Sequence, residues 1–138
     1  MYYGYLFAPF IAWFIAGTMK FLINSIVAKK PAIKQIGYGG LPSNHSAIVS
    51  CATTLIAIRE GIGHPAFGIA IAVSFIVILD AKSLRGQIGK QARAINEINN
   101  NSATVGLRER IGHSFMEIGA GIVVGVFTAW LINSLYPI

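Results

Sequence analysis

The chain has 138 residues, of which 54% are hydrophobic and only 12% are charged. Water-soluble domains carry about twice that charged fraction, and one core of this size is too small to bury so much apolar surface. The composition excludes a disordered chain, which would be poor in apolar residues, and predicts a membrane protein. The charge is lopsided, with 11 Lys and Arg against 5 Asp and Glu.

Four stretches of the chain contain no charged residue: 1–19, 35–58, 61–79 and 118–138. A membrane-spanning helix needs about 20 mostly apolar residues. We therefore expect an all-α integral membrane bundle of about four transmembrane helices, with a single domain over residues 1–138. The predicted spans are about 5–28, 43–60, 64–82 and 114–135.

The first predicted span is interrupted by Lys20. This side chain either extends to the membrane interface or contacts a bound phosphate. No basic segment precedes the span, and no small-residue cleavage pattern follows it, so we interpret it as a retained helix rather than a signal peptide.

A glycine-rich run at 37–46 leads into the second span. Pro42 or Ser43 suits the helix start, and Ser43 or Asn44 is a suitable cap. Such a turn offers backbone N–H groups beside a helix N-terminus, which is a natural anion site. His45 lies in the first turn, where it faces whatever binds there.

The third predicted span, 64–82, ends at a charged cluster. Asp80 either pairs with Lys82 or Arg85, which makes a charge beside the membrane tolerable, or orders a phosphate site. His64 begins the span on the opposite side and has no catalytic neighbour, so we interpret it as structural.

The long 86–112 connection contains apolar residues at helical spacing, namely Ile88, Ala92 and Ile95. This pattern predicts a short interfacial helix on an anionic leaflet, although a plain solvated helix fits equally well at this length.

The last span begins with His113 and Glu117, which are four residues apart. On a helix this spacing places the carboxylate beside the imidazole, where it fixes the tautomer and raises the basicity. Gly121 and Gly125 further along form a G-x-x-x-G pair, which allows close helix approach.

The basic residues predict the topology. The 29–42 connection has three Lys and no acid, and the 80–114 connection has six basic residues. Basic loops favour the cytoplasmic side, so both connections are expected there, with both termini outside. We expect a bacterial inner or plasma membrane protein whose polar clusters all lie at the cytoplasmic face.

Two histidines, an orienting carboxylate, several cations and a glycine-rich turn are the parts that phosphoryl transfer needs. One histidine attacks phosphorus, the other protonates the leaving oxygen, and the cations hold the equatorial oxygens.

The same residues resemble a known family. The run Gly-Gly-Leu-Pro-Ser-Asn-His-Ser at 39–46 resembles the P-S-x-H-S signature of the type 2 phosphatidic acid phosphatase and vanadium haloperoxidase superfamily. The runs at 80–92 and 107–113 are similar to its small divergent branch, labelled acid phosphatase/vanadium-dependent haloperoxidase-related. The resemblance extends from Lys20 to Gly125.

The resemblance implies a helical lipid phosphatase with a phosphohistidine intermediate and no metal or cofactor. His113 matches the nucleophile, His45 the general acid, and Glu117 replaces the aspartate that orients the nucleophile. The arginine expected six residues before the nucleophile is Leu107 in this chain. The expected substrate-binding residues are Lys20, Gly39, Gly40, Ser43, Asp80, Arg85 and Arg108.

The predicted function is hydrolysis of a phosphomonoester or pyrophosphate of a lipid at the cytoplasmic face. The expected partners are this lipid phosphate and membrane lipids, and a homodimer is compatible with so thin a bundle. A nucleic-acid partner is disfavoured because the basic loops lie against a membrane.

Two alternatives belong to other classes of protein. A small four-helix transporter is disfavoured because the charge-free windows contain no acidic residue for proton coupling. A non-catalytic assembly subunit predicts that both His45 and His113 are replaceable without loss of function.

Overall fold

The computed structural model describes residues 3–29, 40–99, 106–109 and 111–137. Within these ranges all regular structure is helical, which confirms the predicted all-α class. The elements are α1 (Tyr3–Ala28), α2 (Asn44–Glu60), α3 (Pro65–Leu79), a π-helical turn (Asp80–Leu84), α4 (Arg85–Ile98) and α5 (Phe115–Leu135).

In the part of the chain that the structure describes, three helices are long and apolar enough to cross a membrane: Tyr3–Ala28, the continuous helix Pro65–Ile98, and Phe115–Leu135. The shorter α2 packs against α1, α3 and α5. Its Ser46, Ser50 and Thr53 are buried in these contacts. A helix that is surrounded by other helices need not be as apolar as one that faces lipid. That α2 crosses the bilayer as a fourth span remains a prediction.

Helix α1 packs through a stripe of small residues. Ala8, Ala12 and Ala16 are fully buried and recur every four residues, so they share one face of the helix. Small side chains let helix backbones approach closely inside a membrane. Lys20 continues the same stripe and is also buried, at 8% exposure. The lysine therefore points into the bundle and not toward lipid.

The G-x-x-x-G pair of α5 lies directly against α2. A Cβ atom added to Gly125 would meet the Ala47 carbonyl oxygen and would lie 2.9 Å from the Cys51 nitrogen. A Cβ atom on Gly121 would meet the Ser43 backbone in the same way. The predicted close approach is thus confirmed, and its partner is α2.

The helix of the third predicted span, 64–82, continues beyond the predicted end of that span. The third span continues through the π-helical turn into α4, so the helix expected around Ile88 is present but is joined to α3. No glycine or proline interrupts the chain between Asp80 and Arg85. The charged residues between Asp80 and Arg85 mark the end of the apolar segment. They do not mark the end of the helix, because its backbone hydrogen bonds remain satisfied beyond them.

Helix α3 contacts the bundle through α2, with polar side chains at the contact. Thr53 Oγ1 lies 2.8 Å from Ser74 Oγ and 3.3 Å from the Ala70 carbonyl oxygen. Such hydrogen bonds join helices where the surrounding solvent is apolar. No residue of α3 is buried, so its apolar side chains are available to lipid.

Gly125→Leu should destabilise the bundle by about 1–3 kcal/mol, because the new side chain meets the α2 backbone, which cannot move aside. Thermal unfolding of the detergent-solubilised protein measures this loss. Gly119→Ala is the matched control, since a Cβ atom there meets nothing within 4 Å. Equal melting temperatures for Gly125→Leu and the wild type would contradict the packing described for α2 and α5.

Candidate active site

Two histidine rings lie side by side at one end of the bundle. His45 is in the first turn of α2, and His113 precedes the first residue of α5. Their ring centroids are 6.1 Å apart and the ring planes are inclined by 58°. One phosphoryl group between the two rings would therefore be within reach of both.

Glu117 fixes the orientation of His113. Its Oε2 lies 3.1 Å from His113 Nδ1 and accepts a hydrogen bond from the Ser114 N–H at 2.9 Å. The Glu117 N–H donates in return to Ser114 Oγ at 3.2 Å, which completes a capping box. Because Nδ1–H is the natural donor to a carboxylate, Nε2 of a neutral His113 carries the lone pair.

Burial favours the neutral form of His113. The residue is 7% exposed, and removal from water is the main reason that its pKa is lowered from the usual value. The hydrogen bond that His113 donates to Glu117 partly opposes this shift, whereas the positive charges of Lys20 and Arg85 add to it. At neutral pH the imidazole is therefore available as a nucleophile.

Backbone hydrogen bonds link the two histidine-bearing segments to the rest of the bundle. The His113 N–H donates to the Ala81 carbonyl oxygen in the π-helical turn at 3.0 Å. The Ser43 N–H donates to the Glu117 carbonyl oxygen at 2.8 Å. The π-helical turn, α2 and α5 are thus connected directly at the site, and π-helical turns are frequent at functional sites.

Ser43 caps α2, which decides between the caps that the sequence allowed. Its Oγ accepts hydrogen bonds from the Ser46 N–H at 3.4 Å and from Ser46 Oγ at 3.1 Å. The helix begins at Asn44, after a cis Leu41–Pro42 bond. Gly40 is buried just before it and has a φ of +141°, a conformation that favours glycine. The expected residue Gly39 lies outside the described residues.

Two buried polar atoms at this helix start lack hydrogen-bond partners in the described part of the chain: Asn44 Oδ1 and His45 Nδ1. Buried polar atoms in proteins are nearly always hydrogen-bonded. Their position beside the histidine pair is typical of a site that a polar ligand completes.

Positively charged side chains surround the histidines. Lys20 has no ion-pair partner among the described residues, and the charges of Glu117 and Arg108 both act on it. Arg85 Nε lies 2.9 Å from Asp80 Oδ2, and the charges of both residues act on His45. Of the two partners that the sequence offered to Asp80, the structure selects Arg85.

Lys82, the other basic residue of this cluster, faces a different group. Its Nζ lies 4.3 Å from the centroid of the Phe115 ring. It therefore makes a cation–π contact and does not pair with Asp80.

The 106–109 segment, which carries Arg108, is held against α4 by Asn96. The Asn96 carboxamide donates to the Leu107 carbonyl oxygen and accepts from the Leu107 N–H, both at 2.7 Å. It also donates to Glu109 Oε1 at 2.9 Å, and Arg93 Nε donates to Glu109 Oε2 at 3.2 Å. We call Asn96, Arg93 and Glu109 the α4 clasp.

Sequence reasoning missed the α4 clasp because no local pattern connects Asn96 with a segment eleven residues away. The two hydrogen bonds between its side chain and the backbone of Leu107 depend on how the chain returns to α4. Sequence reasoning also missed the close contact between Glu109 and Gly89. A Cβ atom at Gly89 would collide with the Glu109 carbonyl oxygen.

The remaining histidine of the chain lies apart from the pair. His64 caps α3, with its Nδ1 accepting from the Ala66 N–H at 3.2 Å. This position, after the last turn of α2, is at the opposite end of that helix from His45. The structural interpretation of His64 agrees with this contact.

Comparisons with known proteins fit this geometry. The family described as the Divergent PAP2 family matches residues 3–128, and the chain belongs to it. The match confirms the resemblance to a divergent branch of the type 2 phosphatidic acid phosphatases. No solved structure matches the chain.

A relative, the membrane protein YuiD of Bacillus subtilis (strain 168), is 31% identical over 94 residues. The match covers 67% of this chain and 60% of the relative, so the chain matches less than two thirds of the relative's length. Together with the three apolar helices, the family and this relative establish a membrane protein of the PAP2-like class.

Asn96→Ala should release the 106–109 segment from α4. Loss of even one net hydrogen bond, worth about 1 kcal/mol, makes local opening about fivefold more frequent. Hydrogen exchange measured at the Leu107 amide should accelerate by at least that factor. Gln91→Ala, on the exposed surface of the same helix, should leave the exchange rate unchanged, and unchanged exchange in Asn96→Ala would disprove the clasp.

Proposed function

We propose that this protein hydrolyses a phosphomonoester or pyrophosphate of a membrane lipid. The observation that carries the proposal is the histidine pair, with ring centroids 6.1 Å apart and one ring held by a buried glutamate. Membership of a PAP2-like membrane family supports the same reaction class. The site lies at one end of apolar helices, where a lipid headgroup is accessible.

In the first step, His113 Nε2 attacks phosphorus and a P–N bond forms. The bond from phosphorus to the leaving oxygen breaks, and His45 donates its proton to that oxygen. Glu117 stabilises the positive charge that develops on the His113 ring through the Nδ1 hydrogen bond. The products are the dephosphorylated lipid and a phosphohistidine.

In the second step, water attacks the phosphohistidine. His45, now neutral, takes a proton from the water, the P–N bond breaks, and inorganic phosphate leaves. His113 and His45 return to their starting protonation states, so the cycle needs no oxidant, reductant or metal.

The non-bridging oxygens need positive charge during both steps. Within the described ranges the buried Lys20 forms no ion pair with a carboxylate, which is costly unless an anion approaches. Arg108 supplies a second charge from the clasped segment, and the α2 N-terminus beside Ser43 and Gly40 supplies backbone N–H groups. We assign Arg85 and Asp80 together to positioning, since they form an ion pair next to His45.

The distribution of charge supports a cytoplasmic orientation. The basic connections predict that this end of the bundle faces the cytoplasm and that both termini lie outside. We propose that the substrate is a lipid of the cytoplasmic leaflet. Phosphatidate, phosphatidylglycerophosphate, polyprenyl phosphates and lipid-linked sugar phosphates are the classes that a screen should compare.

Membranes that contain the protein should release inorganic phosphate from one of these lipids. His113→Ala or His45→Ala should lower the rate by at least about 10²–10⁴-fold, since each removes a group that transfers a bond or a proton. His64→Ala is the matched control and should keep full activity. Vanadate should inhibit, and activity should persist when divalent metals are chelated.

Full turnover by both His113→Ala and His45→Ala would exclude the mechanism. If no lipid phosphate is hydrolysed by the wild type while both variants still support its cellular role, the protein is a non-catalytic assembly subunit. Activity that disappears on chelation would indicate a metal-assisted site.

The acid limb of the kcat/KM–pH profile should report His113, and its alkaline limb should report the proton donor His45, which must be protonated. The nucleophile must be neutral, and burial lowers its pKa, so activity should fall on acidification with a midpoint below pH 6.5. Glu117→Gln removes the negative charge of Glu117, which helps to raise this pKa, and should move the midpoint to lower pH while reducing the rate. Glutamine retains a capping oxygen for the Ser114 N–H, so the helix start survives.

Glu97→Gln, at an exposed position of α4, is the control for this profile and should reproduce the wild-type curve. An acid midpoint above pH 6.5 in the wild type, or an unchanged midpoint in Glu117→Gln, would contradict the role assigned to His113.

A further inference from the structure

A second cationic site lies at the other end of the bundle. Arg59 is in the last turn of α2, whereas His45 is in the first. Fourteen residues of helix separate them by about 21 Å along the axis. The ends of three helices meet around Arg59, which contacts residues of α1 and residues at and just beyond the end of α5.

Neutral groups hold the Arg59 guanidinium in place. Its Nε donates to Asn133 Oδ1 at 3.0 Å, and its Nη2 donates to the Tyr136 carbonyl oxygen. The guanidinium carbon lies 5.3 Å from the centroid of the Tyr5 ring. Its Nη1 lies so close to Gly4 that any Cβ atom at that position would collide with it. The side chain is thus fixed on three sides.

No carboxylate compensates this charge among the described residues. The nearest acid in sequence, Glu60, accepts a hydrogen bond from the Tyr5 hydroxyl instead, and Arg59 is absent from the ion pairs of the described ranges. A guanidinium that is fixed by neutral acceptors and keeps an uncompensated charge is suited to an anion, above all a phosphate.

The guanidinium forms part of the wall of a cavity of about 550 Å³. The rest of the wall is mainly apolar and aromatic and comes from α1 and from the end of α5. The lining residues are Tyr3, Gly4, Phe7, Ile11, Arg59, Ile132, Tyr136 and Pro137. Phe7 and Ile11 are more than 40% exposed, so the apolar wall continues onto the lipid-facing surface of α1.

We propose that this cavity binds an anionic phospholipid of the leaflet opposite the histidine pair. The phosphate binds the Nη1 edge of Arg59, and one acyl chain lies along Phe7 and Ile11. Positive charge at the headgroup level and an apolar wall that leads into the hydrocarbon match the two parts of such a lipid. Tyr3 and Tyr136 lie at the same level, where tyrosine is enriched in membrane proteins.

The lipid site is independent of the proposed catalysis, because it uses none of the residues at the histidine pair. It anchors the ends of α1 and α5 at the face where the bundle has no basic connection of its own. We infer that a bound lipid stabilises this end of the bundle and is not turned over.

Native mass spectrometry of the delipidated protein in detergent tests this inference. Phosphatidylglycerol and phosphatidylcholine with identical acyl chains are added separately. The wild type should retain phosphatidylglycerol preferentially, and Arg59→Gln should bind it about tenfold more weakly, as expected for loss of a charge-assisted hydrogen bond. Lys90→Gln, which removes an exposed cation of α4, should leave the binding unchanged.

A purely structural Arg59 would give a different result. In that case Arg59→Gln lowers the melting temperature, but added phosphatidylglycerol raises it as much as in the wild type, and the proposal fails. Ile11→Trp gives a second criterion, because it fills the cavity and leaves Arg59 in place. It should abolish phosphatidylglycerol retention, and full retention would overturn the assignment.

Two further outcomes would also reject a site for an anionic phospholipid. Equal retention of phosphatidylcholine would show that charge plays no part. Stabilisation of the wild type by inorganic phosphate to the same extent as by phosphatidylglycerol would show a site for a soluble anion. Loss of phosphatase activity in the histidine variants, by contrast, has no bearing on this cavity.

Discussion

The close contact between α2 and α5 is the constraint on which the site depends. Gly121 and Gly125 leave no side chain between the two backbones, so the Ser43 N–H reaches the Glu117 carbonyl oxygen. This approach brings the first turn of each helix to the same level. His45 and His113 become neighbours because of it, and the hydrogen bond from the His113 N–H to the Ala81 carbonyl oxygen holds the segment before α5 in place.

Glu117 performs three separate tasks at this contact. Its carboxylate completes the capping box with Ser114, the same oxygen orients His113, and its carbonyl oxygen accepts from Ser43. Removal of the carboxylate would leave the His113 ring buried without its partner, which is more costly than the loss of one exposed hydrogen bond. Helix capping and the orientation of His113 therefore depend on the same carboxylate oxygen, which explains why a carboxylate occupies a buried position in an apolar helix.

The sequence allowed the helices and the histidine pair to be predicted because both have local signals. Charge-free windows delimit helices, and the four-residue spacing of His113 and Glu117 predicts their contact, which the structure makes between Glu117 in the first turn of α5 and His113 just before the N-cap Ser114. The extension of α3 into α4 was not predictable from charge, since a helix continues wherever its backbone hydrogen bonds are made. The contacts of Asn96 and Arg59 depend on segments that only tertiary packing brings together, so no sequence pattern marks them.

The chain has more basic than acidic residues, and this excess is explained by the way the charged residues are divided between the two ends of the bundle. At the end with the histidines, Lys20 and Arg108 provide positive charge beyond the Arg85–Asp80 ion pair. Lys20 is decisive here, because a lysine that is 8% exposed in an otherwise apolar stripe is costly unless an anion shares its surroundings. Glu117 is already engaged by His113 and Ser114. Under the proposed function, a lipid phosphate meets the remaining demand for negative charge, and the neighbouring pair of histidines reacts with that same group.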